Sequence, residues 1–308
     1  MERQKQPQIR VGYACINVSL KESFKSFRLA AVEKKDEEKI TDVMWHNIRL
    51  LRKIIDYNIK HNIYIYRVSS DLVPFCTQPY VKALYEERVL QNKEMRQYFT
   101  DIHYLREKYQ LRLSIHPSQF NVLSSPKKDV VTRSIAEINE QTKWIKLLGG
   151  NNVVIHVGGS YGNKEEALKR FKAHVGYVDA KLLSIENDDR TYNTYDVWKL
   201  CQELKLKWVY DYHHCRCNVS SDCVIEELLK AYPPDKYHLS TGTPHKDSRP
   251  HAGLISKQDY KDFTALLKTS KILNADVIFE AKLKNKAITA ILNPIEKGYW
   301  CLKEENRE

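Results

Sequence analysis

The chain has 308 residues, 42% of them hydrophobic and 29% charged, which is enough for one large α/β domain or two ordinary ones. No run of about 18 apolar residues occurs, and MERQKQPQIR has no apolar core, so neither a membrane span nor a secretory signal is expected. The net charge of +11 points to a polyanionic partner such as nucleic acid, and seven scattered cysteines argue against a disulfide scaffold, so an intracellular protein is expected.

Along the chain, short β-type runs alternate with longer amphipathic segments. Strands are predicted at 11–16, 63–69, 111–116, 152–157, 181–187, 207–212, 236–241 and 276–282. Helices are predicted between them at about 42–61, 92–108, 129–148, 163–177, 194–205, 222–231 and 257–270, with a last one at 284–293. The clearest is 42–61, where Ile48, Leu51, Ile54, Ile55 and Ile59 form one stripe, with Thr41 or Asp42 as the expected cap and Asn62 as the stop. Eight strands, each followed by a helix, are the count of a (β/α)8 TIM barrel. A doubly wound sheet is the competitor, but no glycine-rich phosphate fingerprint follows the first strand. The whole chain reads as a single barrel domain, with a short basic tail at 1–9 and a C-terminal extension at 294–308.

Six of these strands end on or beside a potential metal ligand: His116, His156, Glu186, Asp211, His238 and Glu280. In a barrel those ends share the C-terminal rim, where barrel enzymes build their active sites. Alternation supports an inward polar face: Arg112, Ser114 and His116 on one strand, Ser184 and Glu186 on another, Lys236, His238 and Ser240 on a third. Any one of these histidines alone would read as a hydrogen-bonded core residue. Three carboxylates gathered on one rim would repel one another without cations, and with imidazoles they suit Zn²⁺, Mn²⁺ or Fe²⁺, with more than one ion expected. Asp211-x-x-His214 adds a fourth imidazole and His251 a fifth. His46, His61, His103 and His174 fall on predicted helices, His213 should point away on its strand, and His245 is left open in a loop. His213-His214-Cys215-Arg216-Cys217 lacks the second pair of a structural zinc site.

The stretches VGYACIN, YRVSSDLVPF, SIHPSQFNVLSSP, NVVIHVGG, SIENDD, YDYHH and FEAKLK, in this order, closely resemble the UV damage endonucleases, relatives of endonuclease IV and the xylose isomerase-like barrels. The resemblance implies a metal-dependent endodeoxyribonuclease of DNA repair, acting on damaged double-stranded DNA as a monomer. It implies incision immediately 5′ to cyclobutane pyrimidine dimers and 6-4 photoproducts, leaving a 3′-hydroxyl and a 5′-phosphate. It also implies two or three divalent ions, manganese foremost, with zinc, magnesium or cobalt as alternatives. His116, His156, Glu186, Asp211, His214, His238, His251 and Glu280 become the ligands, with Glu186 bridging and catalytic. Lys236 becomes a catalytic candidate that contacts phosphate or, if carboxylated, approaches the metals. Gln119 and Phe120 resemble the pair that probes the duplex opposite the lesion, and Tyr13 and Asn17 resemble pocket residues near the flipped dimer. Phe120 stands where the family often has tyrosine, and Gly253 where it often has an acidic residue, which bears on a third metal. The alternatives are an AP endonuclease of the endonuclease IV class, a sugar isomerase, and a lesion-binding protein without catalysis.

Overall fold

The computed structural model describes residues 6–221, 223–244 and 248–303. Eight parallel strands close into a barrel in sequence order, the eighth pairing back to the first. They are β1 Gln8–Ala14, β2 Ile65–Val68, β3 Arg112–Ile115, β4 Asn152–His156, β5 Leu183–Glu186, β6 Lys207–Asp211, β7 Lys236–Leu239 and β8 Asn274–Phe279. The α-helices are α1 Leu29–Glu33, α2 Glu37–Lys60, α3 Pro79–Leu84, α4 Lys93–Tyr109, α5 Lys128–Leu147, α6 Lys164–His174, α7 Thr194–Leu204, α8 Tyr212–Cys217, α9 Ile225–Ala231, α10 Lys257–Thr269 and α11 Asn285–Ile291. This is the expected TIM barrel, and no helix among the described residues is long and apolar enough to cross a membrane.

Period-two alternation sets the layers. Leu113, Ile115, Val153, Ile155, Leu183, Ile185, Trp208 and Tyr210 belong to the buried apolar core shared with the helices. The opposite face carries a polar interior in tiers. At the N-terminal end, Arg10 holds Asp276 with Nε and Nη2 at 2.7 and 2.8 Å, and Arg112 adds Nη1 at 2.8 Å. Above it, fully buried Lys236 donates to Ser114 Oγ at 3.0 Å and Asn152 Oδ1 at 2.9 Å. Gly12 faces Ile65 across β1 and β2, and a Cβ there would come within 1.9 Å of the Ile65 carbonyl oxygen. Only glycine allows that approach of the two strands.

Several boundaries differ from those predicted. The second helix starts at Glu37, capped by Asp36 rather than Thr41 or Asp42, because buried Ile40, Val43 and Met44 extend the apolar stripe by a turn. Its C-cap is His61, followed by Asn62 at φ 58°, a conformation asparagine tolerates. A short helix and a π-helical turn, Tyr85–Leu90, precede α4 where a loop was expected. His213 lies on α8, not on a strand. The C-terminal extension pairs Leu292–Pro294 (β9) with Trp300–Leu302 (β10) as a hairpin, ending the last helix early.

Candidate metal centre at the barrel rim

The sequence places ligands on the rim through register and capping. His156 ends β4 opposite Glu186 at the end of β5, and Asp211 ends β6 opposite His238 on β7. His116 and Glu280 each follow their strand by one residue. Asp211 also N-caps α8, accepting from the His214 backbone N–H at 2.7 Å, so the chain turns back and returns His214 to the rim. Ligand atoms gather into three groups: His116, His156 and Glu186; Glu186, Asp211 and His214; Glu186, His238 and Glu280. Within each group they lie inside 4.8 Å of one another. Glu186, 1% exposed, belongs to all three. Its Oε1 is 2.8 Å from His238 Nδ1, and its Oε2 is 3.2 Å from His116 Nε2.

Backbone carbonyls orient the imidazoles. His116 Nδ1 donates to the Pro117 carbonyl at 2.8 Å, and His214 Nδ1 to the Asn187 carbonyl at 2.9 Å. A carbonyl oxygen only accepts, so Nδ1 carries a proton in both rings and Nε2 is the nitrogen left for a metal; in His116 that Nε2, when protonated, donates to Glu186 instead. The proline behind His116 thus contributes through its carbonyl. Asn187 braces the same region, accepting from the Asp211 backbone N–H at 2.8 Å and donating to the Asp211 carbonyl at 3.0 Å.

The electrostatics favour cations. Burial pushes Asp211 up to about 7, opposed by His214 and reinforced by Glu186 and Glu280, so its negative charge is costly without a cation beside it. Burial would also raise Glu186, but His238, His156 and the hydrogen bond from His116 hold it well below the usual carboxylate range. Burial would lower His214, but Asp211, Glu186 and Glu280 lift it to about 9. Asp211 Oδ2 and His238 Nε2 are buried without a hydrogen-bond partner among the described residues. Orphaned acceptors beside clustered carboxylates are what a cation would satisfy, so the residues fit divalent ions.

The other candidates fall in different places. His251 Nδ1 stands 3.7 Å from Glu280 Oε2, at the rim but in none of the three close groups. Beneath the ligands, Lys236 is brought down to about 7, chiefly by burial, with Arg112 and Arg67 adding. Gln119 lines the cleft beside the ligands, and Phe120 is 78% exposed at the loop tip. Tyr13 and Asn17, expected beside a flipped dimer, are instead buried: the Tyr13 hydroxyl donates to Asn58 Oδ1 at 2.7 Å and accepts from Asn17 at 2.8 Å. They tie β1 to α2 because Tyr13 sits on the outward face of its strand, and as placed they offer a ligand no surface. A Cβ at Gly253 would meet only Leu283, at 3.8 Å, so no crowding requires glycine there. His46, His61, His174 and His213 bond backbone carbonyls of Ser23, Tyr57, Leu123 and Arg249. His103 lies on α4, and His245 is outside the described residues. The cleft also takes in Cys15 and Arg67, which the strand-end pattern did not flag. Arg67 had a readable signal, a cation on the inward face of β2. A larger cavity, about 890 Å³ between α10 and the C-terminal hairpin, contains no ligand group of this kind among the described residues.

Comparison with known proteins agrees with this architecture. The family profile for UV-endonuclease UvdE matches residues 9–299. The UV DNA damage endonuclease of Bacillus thuringiensis subsp. konkukian (strain 97-27) is 32% identical over 287 residues, covering 89% of this chain and 88% of that protein. The crystal structure of SacUVDE superposes with a TM-score of 0.77 at 24% identity, over 91% of this chain and 95% of that one. Endonuclease IV from Thermus thermophilus shares the fold at a TM-score of 0.56 and 15% identity, over 88% of this chain and 91% of that one. With a profile match spanning nearly the whole barrel and a relative of this similarity, the chain belongs to the UvdE family of UV endonucleases.

Proposed function

We propose that this protein cuts the DNA backbone immediately 5′ to UV photolesions, cyclobutane pyrimidine dimers and 6-4 photoproducts, leaving a 3′-hydroxyl and a 5′-phosphate. The observation that carries the reading is the meeting of three ligand groups on one buried carboxylate, Glu186. The printed name of the Bacillus relative, UV DNA damage endonuclease, supports the substrate class.

His116, His156, Glu186, Asp211, His214, His238 and Glu280 would hold two or three divalent ions, manganese foremost, with His251 completing the Glu280 corner. Such ions supply Lewis-acid stabilisation of phosphate charge and a water acidic enough to attack near neutral pH. Glu186 joins the groups and fixes their spacing. The Nδ1 protons of His116 and His214, held by backbone carbonyls, keep both rings turned to the cleft. Lys236 closes the barrel axis beneath the ligands with its bonds to Ser114 and Asn152, excluding water from below. Phe120 stacks into the gap left by an extruded lesion, with Gln119 beside it, because a damaged step costs less to unstack. The excess of lysine and arginine binds backbone phosphates and makes affinity fall with salt. The substrate puts the protein, as a monomer, in the compartment that holds the cell's DNA.

The test is an irradiated, end-labelled duplex with Mn²⁺ and with chelator, beside an abasic duplex. Metal-dependent nicking on the 5′ side of dimers is expected. Preference for the abasic duplex would instead favour the endonuclease IV class of activity, and binding without nicking a lesion-binding protein.

A further inference from the structure

The Glu280 corner of the cleft contains a cation of the protein's own. Arg67 lies on β2, its backbone carbonyl accepts from the Cys15 N–H at 2.8 Å, and its side chain lines the cleft with the ligand set. Nη1 donates to Glu280, and the two side chains are 14% and 11% exposed. Nε is buried and has no hydrogen-bond partner, and Nη2 bonds nothing among the described residues.

The arginines at the N-terminal end of the barrel spend both terminal nitrogens on partners: Arg112 uses Nη1 and Nη2 on Asp235 and Asp276, although its Nε is as unpartnered as that of Arg67. Arg10 engages Asp276 through both prongs of its fork. Arg67 commits Nη1 to a carboxylate and leaves its second terminal nitrogen, Nη2, as the free donor beside the place where three ligand groups meet. A guanidinium offers five N–H donors in a plane, stays charged at all working pH, and matches phosphate oxygens in pairs.

We propose that Arg67 is a phosphate-contacting catalytic residue: one side of its guanidinium holds Glu280, and the other takes a non-bridging oxygen of the DNA phosphate at the metal centre. The proposal rests on the endonuclease reading for its substrate, but its chemistry, recognition of a phosphate oxyanion, can be measured without DNA. Arg67 stays protonated throughout; it orients the phosphate and balances its charge.

The experiment compares Mn²⁺-loaded wild type, Arg67→Gln and Arg67→Lys by calorimetric titration with inorganic phosphate, with bound manganese counted per chain. Arg67→Gln is expected to weaken phosphate binding by about tenfold or more, the scale of a lost charge-assisted hydrogen bond, with manganese content unchanged. Arg67→Lys, which keeps the charge and loses the fork, should recover part of that affinity. On irradiated duplex, the Gln variant should lose single-turnover rate by about a hundredfold while duplex affinity changes less than about threefold. Phosphate affinity within about threefold of wild type, or manganese lost in step with phosphate binding, would overturn the proposal. If the phosphate results hold but wild type does not nick irradiated duplex, Arg67 stands as an oxyanion contact and the endonuclease reading fails.

Discussion

Replacing Glu186 by glutamine tests the centre at its most connected atom. The amide matches the carboxylate in shape but removes one of the three negative charges shared by the ligand groups. At about 4 Å and an effective dielectric of about 20, one unit of charge is worth about 4 kcal/mol against another, so each ion loses about a thousandfold in affinity or more. The readout is the melting temperature with and without Mn²⁺. At a concentration one hundred times its dissociation constant, a bound ion stabilises wild type by about 2.7 kcal/mol. For a domain of this size that is roughly 5 °C. The variant should gain less than about 1 °C at the same concentration, because the ion is then far below its dissociation constant. Its metal-free form should melt lower than metal-free wild type, because the amide gives up the interactions with His238, His156 and His116 that hold Glu186 below the usual carboxylate range, so the test is the manganese-dependent shift and not the absolute melting temperature. Nicking of irradiated duplex should fall to background. A glutamine variant with the full manganese-dependent shift, or with wild-type nicking, would refute the shared-ligand reasoning.

Other perturbations separate recognition from stability. Phe120→Ala removes a ring that is 78% exposed, so stability should change by less than about 0.5 kcal/mol, while affinity for irradiated duplex drops by about 1–3 kcal/mol in a binding titration. Equal affinity of the two proteins would remove Phe120 from the interface. Burial would raise Asp276, but the Arg10 hydrogen bond and the charges of Arg112 and Arg10 hold it below the usual carboxylate range. A depressed carboxylate contributes stability above its unfolded value of about 3.9 and loses it as pH falls through the lower folded value. Asp276→Asn should therefore cost about 3 kcal/mol at neutral pH and flatten the acid limb of a urea-unfolding series, whereas parallel acid limbs would contradict the assignment. Gly12→Ala drives a methyl into the Ile65 carbonyl oxygen and should cost about 3 kcal/mol or more, seen as a lower urea midpoint; an unchanged midpoint would mean β1 and β2 part easily.

Much of this architecture is legible from local pattern. Alternation in LRLSIH puts Ser114 inward and Leu113 outward, and the barrel keeps that division. The ligand types stand at strand ends, so a closed barrel alone suffices to gather His116, His156, Glu186, Asp211, His238 and Glu280. What escapes a reading of pattern is set by contacts between distant segments. The start of α2 depends on tertiary burial of Ile40 and Met44 rather than on its cap residues. Tyr13 has a hydroxyl suited to a ligand pocket, yet its strand face commits it to Asn58 on a helix. Arg67 looks like one basic residue among many until the barrel closes and brings it to Glu280.

In the proposed function, the loop after β3 would join two tasks in one short piece of chain. His116 is fixed by the carbonyl of Pro117, and the exposed ring of Phe120 stands only four positions beyond the imidazole. A force that seats or unseats the tip therefore arrives at a ligand with almost no intervening structure to absorb it. In the proposed function, sensor and blade would ride on the same lever, so a helix that offered the tip no foothold would also leave the cutting edge out of true.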